Sequence, residues 1–301
     1  MVEDTINQCP PHQRTMKGIR YSMIVTKTAL KTPLRYPGGK SRAIKKMAQF
    51  FPEMNEYTEF REPFLGGGSV ALYVSQVYPQ LDIWVNDLYE PLYCFWKTLQ
   101  LQGDKLTKEL QQIKQRHPDR SSARVLFEDA KEYLSKPKRD PFHTGVAFYV
   151  VNKCSFSGLT ESSSFSPQAS DSNFSMRGIE KLKYYKMVIK DWNITNLSYE
   201  QLLVDDATAF VYLDPPYDIK ANLYGKRGTM HVGFDHDRFA VKCDQCDLDQ
   251  MISYNSSNLV KSRFVDWNPQ EYDHTYTMRS VGDYMKDQLE RKELLLLNYE
   301  I

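Results

Sequence analysis

The 301-residue chain has room for one large α/β domain, or for a core domain carrying a smaller insertion. Hydrophobic residues at 41% and charged residues at 26% are ordinary for a globular protein and argue against a disordered or fibrous chain. A net charge of +1 neither demands nor excludes nucleic acid, because a basic cleft can be backed by an acidic surface.

Residues 1–31 are polar, hold Pro10-Pro11 and show little periodicity, as expected of an N-terminal extension; Met1–Arg14 lacks the apolar core of a signal peptide. No apolar run reaches the length of a membrane span. The five cysteines (Cys9, Cys94, Cys154, Cys243, Cys246) are odd in number and scattered, so an intracellular chain without a disulfide framework is expected. The segment Leu34-Arg35-Tyr36-Pro37-Gly38-Gly39-Lys40-Ser41 precedes a helical stretch over Ala43–Phe50. It offers an aromatic ring, a flexible backbone at Gly38 and Gly39, and a cation suited to the carboxylate of an amino-acid-like ligand. A phosphate-binding turn or a plain helix start would read the same way.

Tyr57–Glu62 reads as a strand, Leu65-Gly66-Gly67-Gly68 as a tight loop, and Ser69–Tyr78 as a helix with Ser69 a candidate N-cap. Glycines between a strand and a helix let a ligand approach the backbone closely. Leu81–Val85 is a second strand, ending at Asn86-Asp87. An acid there, about twenty residues after a glycine loop, can bind ribose hydroxyls. A tight turn with a strand cap, or a dinucleotide-binding fold, are the competing readings.

Leu99–Lys136 is rich in charge and glutamine at helical spacing. Asn152–Asn173 is dense in serine, with aromatics at Phe156, Phe165 and Phe174, and has the turn chemistry of a binding loop or hairpin. Residues 105–187 therefore read as an insertion into an α/β domain made of 32–104 and 188–301. Lys181, Lys183, Lys186 and Lys190 form a basic run, either a solvated face or a phosphate contact.

Phe210–Leu213 is a third strand and leads into Asp214-Pro215-Pro216-Tyr217. Two prolines stop the strand and fix the backbone, because each locks φ and lacks an N–H. An acid, a stiff turn and an aromatic ring are thus presented at a strand's carboxyl end, where open α/β sheets bind ligands. The set suits methylation of an exocyclic amine. The amine lone pair of adenine is delocalised, and a carboxylate with a proline carbonyl accepting its two N–H groups would localise it, while the tyrosine stacks on a base taken out of the duplex. Phe234–Met251 has helical spacing, so Cys243-x-x-Cys246 near His231 and His236 reads as thiols rather than a metal site. Met251–Tyr254 and Glu293–Tyr299 are two further strand-like runs. Strands alternating with helical stretches predict a mainly parallel sheet covered on both faces.

In this order the segments resemble the Dam-type, alpha-group DNA adenine-N6 methyltransferases: a PGGK-type segment, an EPFxGxGSV-type loop, an ND strand end, a target-recognition insertion and DPPY, from about Leu34 to Tyr299. The resemblance implies a Rossmann-like S-adenosylmethionine-dependent methyltransferase domain with an inserted, mostly helical target-recognition domain that binds double-stranded DNA. By position, Tyr36, Gly38, Gly39, Lys40, Glu62, Pro63, Phe64, Gly66, Gly68, Asp87 and Asp214 would hold the cofactor. Asp214, Pro215, Pro216 and Tyr217 would act on the adenine.

Asn152-Lys153-Cys154-Ser155-Phe156-Ser157-Gly158-Leu159 is similar to the family's NRxxYNGL segment, with Phe156 where an aromatic wedges into the stack and Ser157 replacing the usual asparagine. Glu161 stands where Dam has an arginine that reads guanine. A carboxylate accepts from the cytosine amino group, which points to a target such as CATG rather than GATC; a Glu161 that faces solvent or pairs with a lysine is the equal alternative. Arg279 lies near a segment that meets DNA in the family. Asn152, Lys153, Phe156, Ser157, Glu161 and Arg279 are therefore the expected DNA-binding residues, and a cognate restriction endonuclease acting separately fits the picture. Cytosine-N4 or RNA-adenine methylation, and a catalytically silent DNA-binding protein, are the rival functions.

Overall fold

In the computed structural model, residues 30–36, 38–158, 163–217, 233–273 and 292–301 are described. Seven strands form one sheet in the order β3-β2-β1-β4-β5-β7-β6. They are β1 Glu59–Glu62, β2 Asp82–Asn86, β3 Asn193–Thr195, β4 Ala209–Leu213, β5 Asp249–Asn255, β6 Asn268–Asp273 and β7 Lys292–Leu297. β1 to β5 pair in parallel, whereas β7 is antiparallel to β5 and β6 is antiparallel to β7. Strand order reverses between β1 and β4, so the ligand crevice expected of such a sheet opens at their carboxyl ends.

The central strands were legible because they are buried on both faces and read as continuous apolar runs. On β4, Ala209, Val211 and Leu213 enter one core while Phe210 and Tyr212 enter the other. On β7, Leu294 and Leu296 take the first side and Leu295 and Leu297 the second. The two edge strands, β3 and β6, were not expected. Only one side chain of β3 is buried, and β6 contains Pro269, which an edge strand tolerates.

The helices differ from expectation in detail. The stretch Ala43–Phe50 is broken into α1, Ile44–Met47, flanked by 3-10 turns at Lys40–Arg42 and Ala48–Phe50. In α2, Ser69–Val77, the N-cap is Gly68, not Ser69; Gly68 takes φ 66°, and Ser69 bonds Ser41 hydroxyl to hydroxyl at 2.8 Å. The regular elements described between β2 and β3 are helices: α3 Glu90–Arg116, α4 Arg120–Ser135, α5 Pro141–Cys154, α6 Pro167–Ser172, α7 Met176–Glu180 and α8 Leu182–Val188. Asp119 separates α3 from α4 by accepting from the N–H groups of Ser121 and Ser122. Asn152–Cys154 complete α5 rather than open a loop; a 3-10 turn over Phe156–Gly158 and a bridge between Ser155 and Phe165 follow. The predicted helix over Phe234–Met251 stops early, as α9 His236–Asp244, because Asp249 already begins β5; α10 is Asn258–Arg263.

One core runs from the sheet (Phe60, Phe210) through Trp96 and Leu99 of α3 to Phe127 of α4 and Phe148 of α5. Among the described residues no helix is long and apolar enough to cross a membrane.

Candidate functional site

Alternation builds the site. Tyr212 and Asp214 at the end of β4, Met251 and Ser253 on β5, and Glu293 and Leu295 on β7 lie at period-two positions on one face of the sheet. Because β7 runs antiparallel to β5, its first residues lie beside the carboxyl ends of β4 and β5. Three polar groups therefore converge where the crevice opens. From the helix layer above, the turn Lys40–Arg42 brings in a cation.

Lys40 Nζ donates to Asp214 Oδ1 at 2.8 Å and Oδ2 at 3.0 Å, to Tyr217 Oη at 2.9 Å, and to the Gly38 carbonyl at 3.1 Å. Ser253 Oγ donates to Asp214 Oδ1 at 2.6 Å and is itself 2.9 Å from the Tyr212 hydroxyl. Tyr217 Oη donates to Glu293 Oε2 at 2.6 Å. Burial works against the charge on Lys40, but Asp214 and its neighbours outweigh it and hold the ammonium well above its ordinary range. Lys40 was expected to meet the carboxylate of a ligand; in the structure its partner is Asp214. Pro215 is buried, and Pro216 and Tyr217 are half-buried.

The glycine loop lies against the same crevice. A side-chain carbon added at Gly66, where φ is 48°, would sit 2.8 Å from the Tyr36 ring, so the ring of one segment rests on the backbone of the other. Asp87 accepts from the N–H groups of Gly66 and Tyr89, both at 2.9 Å. Glu62 accepts from the N–H of Ala71 at 2.7 Å. Burial raises Glu62 well above the usual carboxylate range and Asp87 to about 6. Pro63 and Phe64 complete the loop: the Pro63 carbonyl accepts from Asn86, and Phe64 stacks on Tyr199 beside Phe234 and Phe239. Two buried acids at adjacent strand ends, beside a loop that only glycine can form, fit a ligand with ribose hydroxyls and positive charge. S-adenosylmethionine is such a ligand.

The residues expected at DNA separate. Phe156 projects from the 3-10 turn, 43% exposed, and Ser157 lies in that turn. Asn152 points inward instead: fully buried, its amide donates to the carbonyls of Arg35 (2.6 Å) and Gly158 (3.3 Å) and accepts from the Arg35 N–H (3.0 Å). Lys153 also turns inward, onto the Pro33 carbonyl, and burial, with the Arg35 charge beside it, pulls it down to about 8. Both residues hold the strip 33–36 rather than face a duplex. Glu161 and Arg279 lie outside the described residues. In the basic run, Lys186 pairs with Asp104 and Lys190 with Asp191.

Ser253 and Glu293 were missed in the sequence. Their signal was polarity inside or at the head of an apolar run, at positions that alternation assigns to the face of Asp214.

A sequence profile of the D12 class N6 adenine-specific DNA methyltransferases matches residues 36–278. Type II methyltransferase M.MjaIII of Methanocaldococcus jannaschii is 25% identical over 288 residues, which cover 88% of this chain and 98% of that protein. Type II methyltransferase M.CviBI of Paramecium bursaria Chlorella virus NC1A is 20% identical over 283 residues, covering 90% and 100%. Modification methylase StsI of Streptococcus sanguinis is 23% identical over 95% of this chain, which spans 45% of that longer protein.

Proposed function

The chain belongs to the D12 class N6 adenine-specific DNA methyltransferases, and from that premise we propose that it methylates N6 of adenine within a short duplex sequence as the modification enzyme of a restriction-modification system. The observation that carries this is Asp214, held at the carboxyl end of β4 by Lys40 and Ser253. The family implies S-adenosylmethionine as donor, which when bound supplies an electrophilic methyl group.

Asp87 accepts hydrogen bonds from ribose hydroxyls, and the glycine loop with Tyr36 receives the body of the cofactor. The target adenine leaves the duplex, with Phe156 displacing it, and its ring stacks on Tyr217. Asp214 and the Pro215 carbonyl accept from the two amine N–H groups, which draws the lone pair toward the nitrogen. Positioning and hydrogen bonding supply the acceleration. Residues 105–187 act as the target-recognition domain, and Glu161 selects cytosine at the first base, as in CATG. The printed names of the relatives, type II methyltransferases and a modification methylase, support the restriction-modification reading.

Incubation with S-adenosylmethionine and unmethylated duplex of mixed sequence, followed by nucleoside mass spectrometry, is expected to yield N6-methyladenine. Asp214→Ala is expected to lower the rate by about 100-fold or more with the fold intact. Near-normal turnover by that variant would refute the assignment. Equal methylation of GATC and CATG duplexes would remove the role given to Glu161.

A further inference from the structure

Glu293 has no role in the reaction as described so far, yet it is 2% exposed at the head of β7, and its carboxylate meets the residue whose ring receives the adenine. We propose that Glu293 is a positioning residue for methyl transfer: by holding the Tyr217 hydroxyl it sets the plane on which the displaced adenine stacks. The proposal rests on the methyltransfer reading above.

Tyr217 ends the stiff turn made by Pro215 and Pro216. The prolines restrain the backbone up to the tyrosine but not its side chain, whose two torsions leave the ring free to swing and to turn about its own axis. Stacking on a base needs one fixed plane, so contacts have to set those torsions. Tyr254 lies beside the ring, 6.0 Å away between centroids and tilted by 36°, which limits the swing without a parallel stack to fix the plane. The hydroxyl supplies the rest. It donates to Glu293 Oε2 at 2.6 Å and accepts from Lys40 Nζ at 2.9 Å. A phenolic O–H lies near the plane of its ring, so a donor and an acceptor at the oxygen together define that plane.

Both partners are firmly placed. Glu293 stands on β7 between Asn255 of β5 and Tyr272 of β6, inside the antiparallel part of the sheet. Lys40 is 4% exposed and bonds both oxygens of Asp214 with the same ammonium that meets Tyr217. The acceptor for the amine and the ring under the base are thus set against each other through one cation. An ammonium donates and cannot accept, so Lys40 leaves the Tyr217 proton to be satisfied from the other side, and Glu293 accepts it. Without that acceptor the hydroxyl is free to rotate, and the ring with it. A glutamine at the same place still accepts. In this role Glu293 acts through Tyr217 and does not meet the base.

Single-turnover methylation of duplex DNA by Glu293→Met, Tyr217→Phe and the double variant, at saturating S-adenosylmethionine, tests this as a double-mutant cycle. Each single variant is expected to be slower by about tenfold, and the double variant no slower than Tyr217→Phe, because all three lack the same bond. Glu293→Gln is expected to recover most of the rate. The fluorescence of 2-aminopurine at the target position should shift alike in Glu293→Met and Tyr217→Phe, while calorimetry finds cofactor affinity unchanged. A wild-type rate in Glu293→Met, losses that multiply in the double variant, or no recovery with Glu293→Gln would overturn the proposal. If Glu293→Met does not fold, the double variant, with both partners apolar, still decides: a rate well below that of Tyr217→Phe means that Glu293 does not act through the hydroxyl. Absence of N6-methyladenine with the unaltered protein would instead overturn the functional reading, and this role with it.

Discussion

Burial lifts the Asp87 carboxyl from 3.8 to about 6, against the pull of the Gly66 and Tyr89 N–H groups. A raised carboxyl means that the folded chain binds a proton the unfolded chain has released. Asp87 therefore stabilises the fold at low pH, and that stability is lost as pH rises through about 6. Cofactor binding should show the opposite trend, since ribose hydroxyls need the ionised acid as acceptor. The dissociation constant for S-adenosylmethionine is expected to rise as pH falls below about 6, by up to ~10-fold per pH unit, in calorimetric titrations. A flat affinity across that window would remove Asp87 from the ribose site. Asp214 was readable in the sequence because it directly follows the apolar run Phe210–Leu213, Tyr217 because it closes the proline turn after it, and Asp87 because it stands one residue past the apolar run Leu81–Val85. Lys40 was readable as a cation but not as the partner of Asp214, since 174 residues separate them.

Between α5 and the sheet, the turn Phe156–Gly158 and the strip 33–36 form one mechanical unit. Gly158 takes φ 73°, and a side-chain carbon there would lie 2.5 Å from the Arg35 carbonyl oxygen. Asn152 bonds both partners of that contact. Gly158→Ala therefore adds left-handed strain to a backbone clash and should cost about 2 kcal/mol or more in urea unfolding. Its methylation rate should fall as well, because Tyr36, whose ring rests on the backbone of Gly66, belongs to the strip. Wild-type stability would mean that the strip and the turn part easily. This unit escaped the sequence reading for a definite reason. An asparagine at a helix end looks the same whether its amide meets another segment's backbone or a base.

One hydrophobic core spans the sheet and the helical region between β2 and β3, and α3 runs through both. Its kink at Gln102 (φ −131°, ψ 29°) follows Gln100, whose amide donates to the carbonyls of Ile189 and Trp192 and ties the helix to the segment entering β3. A shared core of this kind predicts one cooperative transition. Helical circular dichroism and tryptophan fluorescence should coincide in urea, and two separated transitions would mean that residues 105–187 unfold by themselves.

Local rules account for what could be read from the residues: the doubly buried strands from their unbroken apolar runs, the tight loop from its glycines, and the stiff turn from paired prolines. Each of these acts through neighbours a few residues apart. The edge strands lacked such a signal, because half-exposed strands carry few apolar side chains. Alternation along β5 and β7 puts Ser253 and Glu293 on one face, a signal that the reading of the residues passed over, and it names no neighbour for either. That Lys40, Asp214, Ser253, Tyr217 and Glu293 meet at one point follows from strand order and from the antiparallel entry of β7. Those depend on how the whole chain closes its two cores, and no short stretch of sequence contains that information.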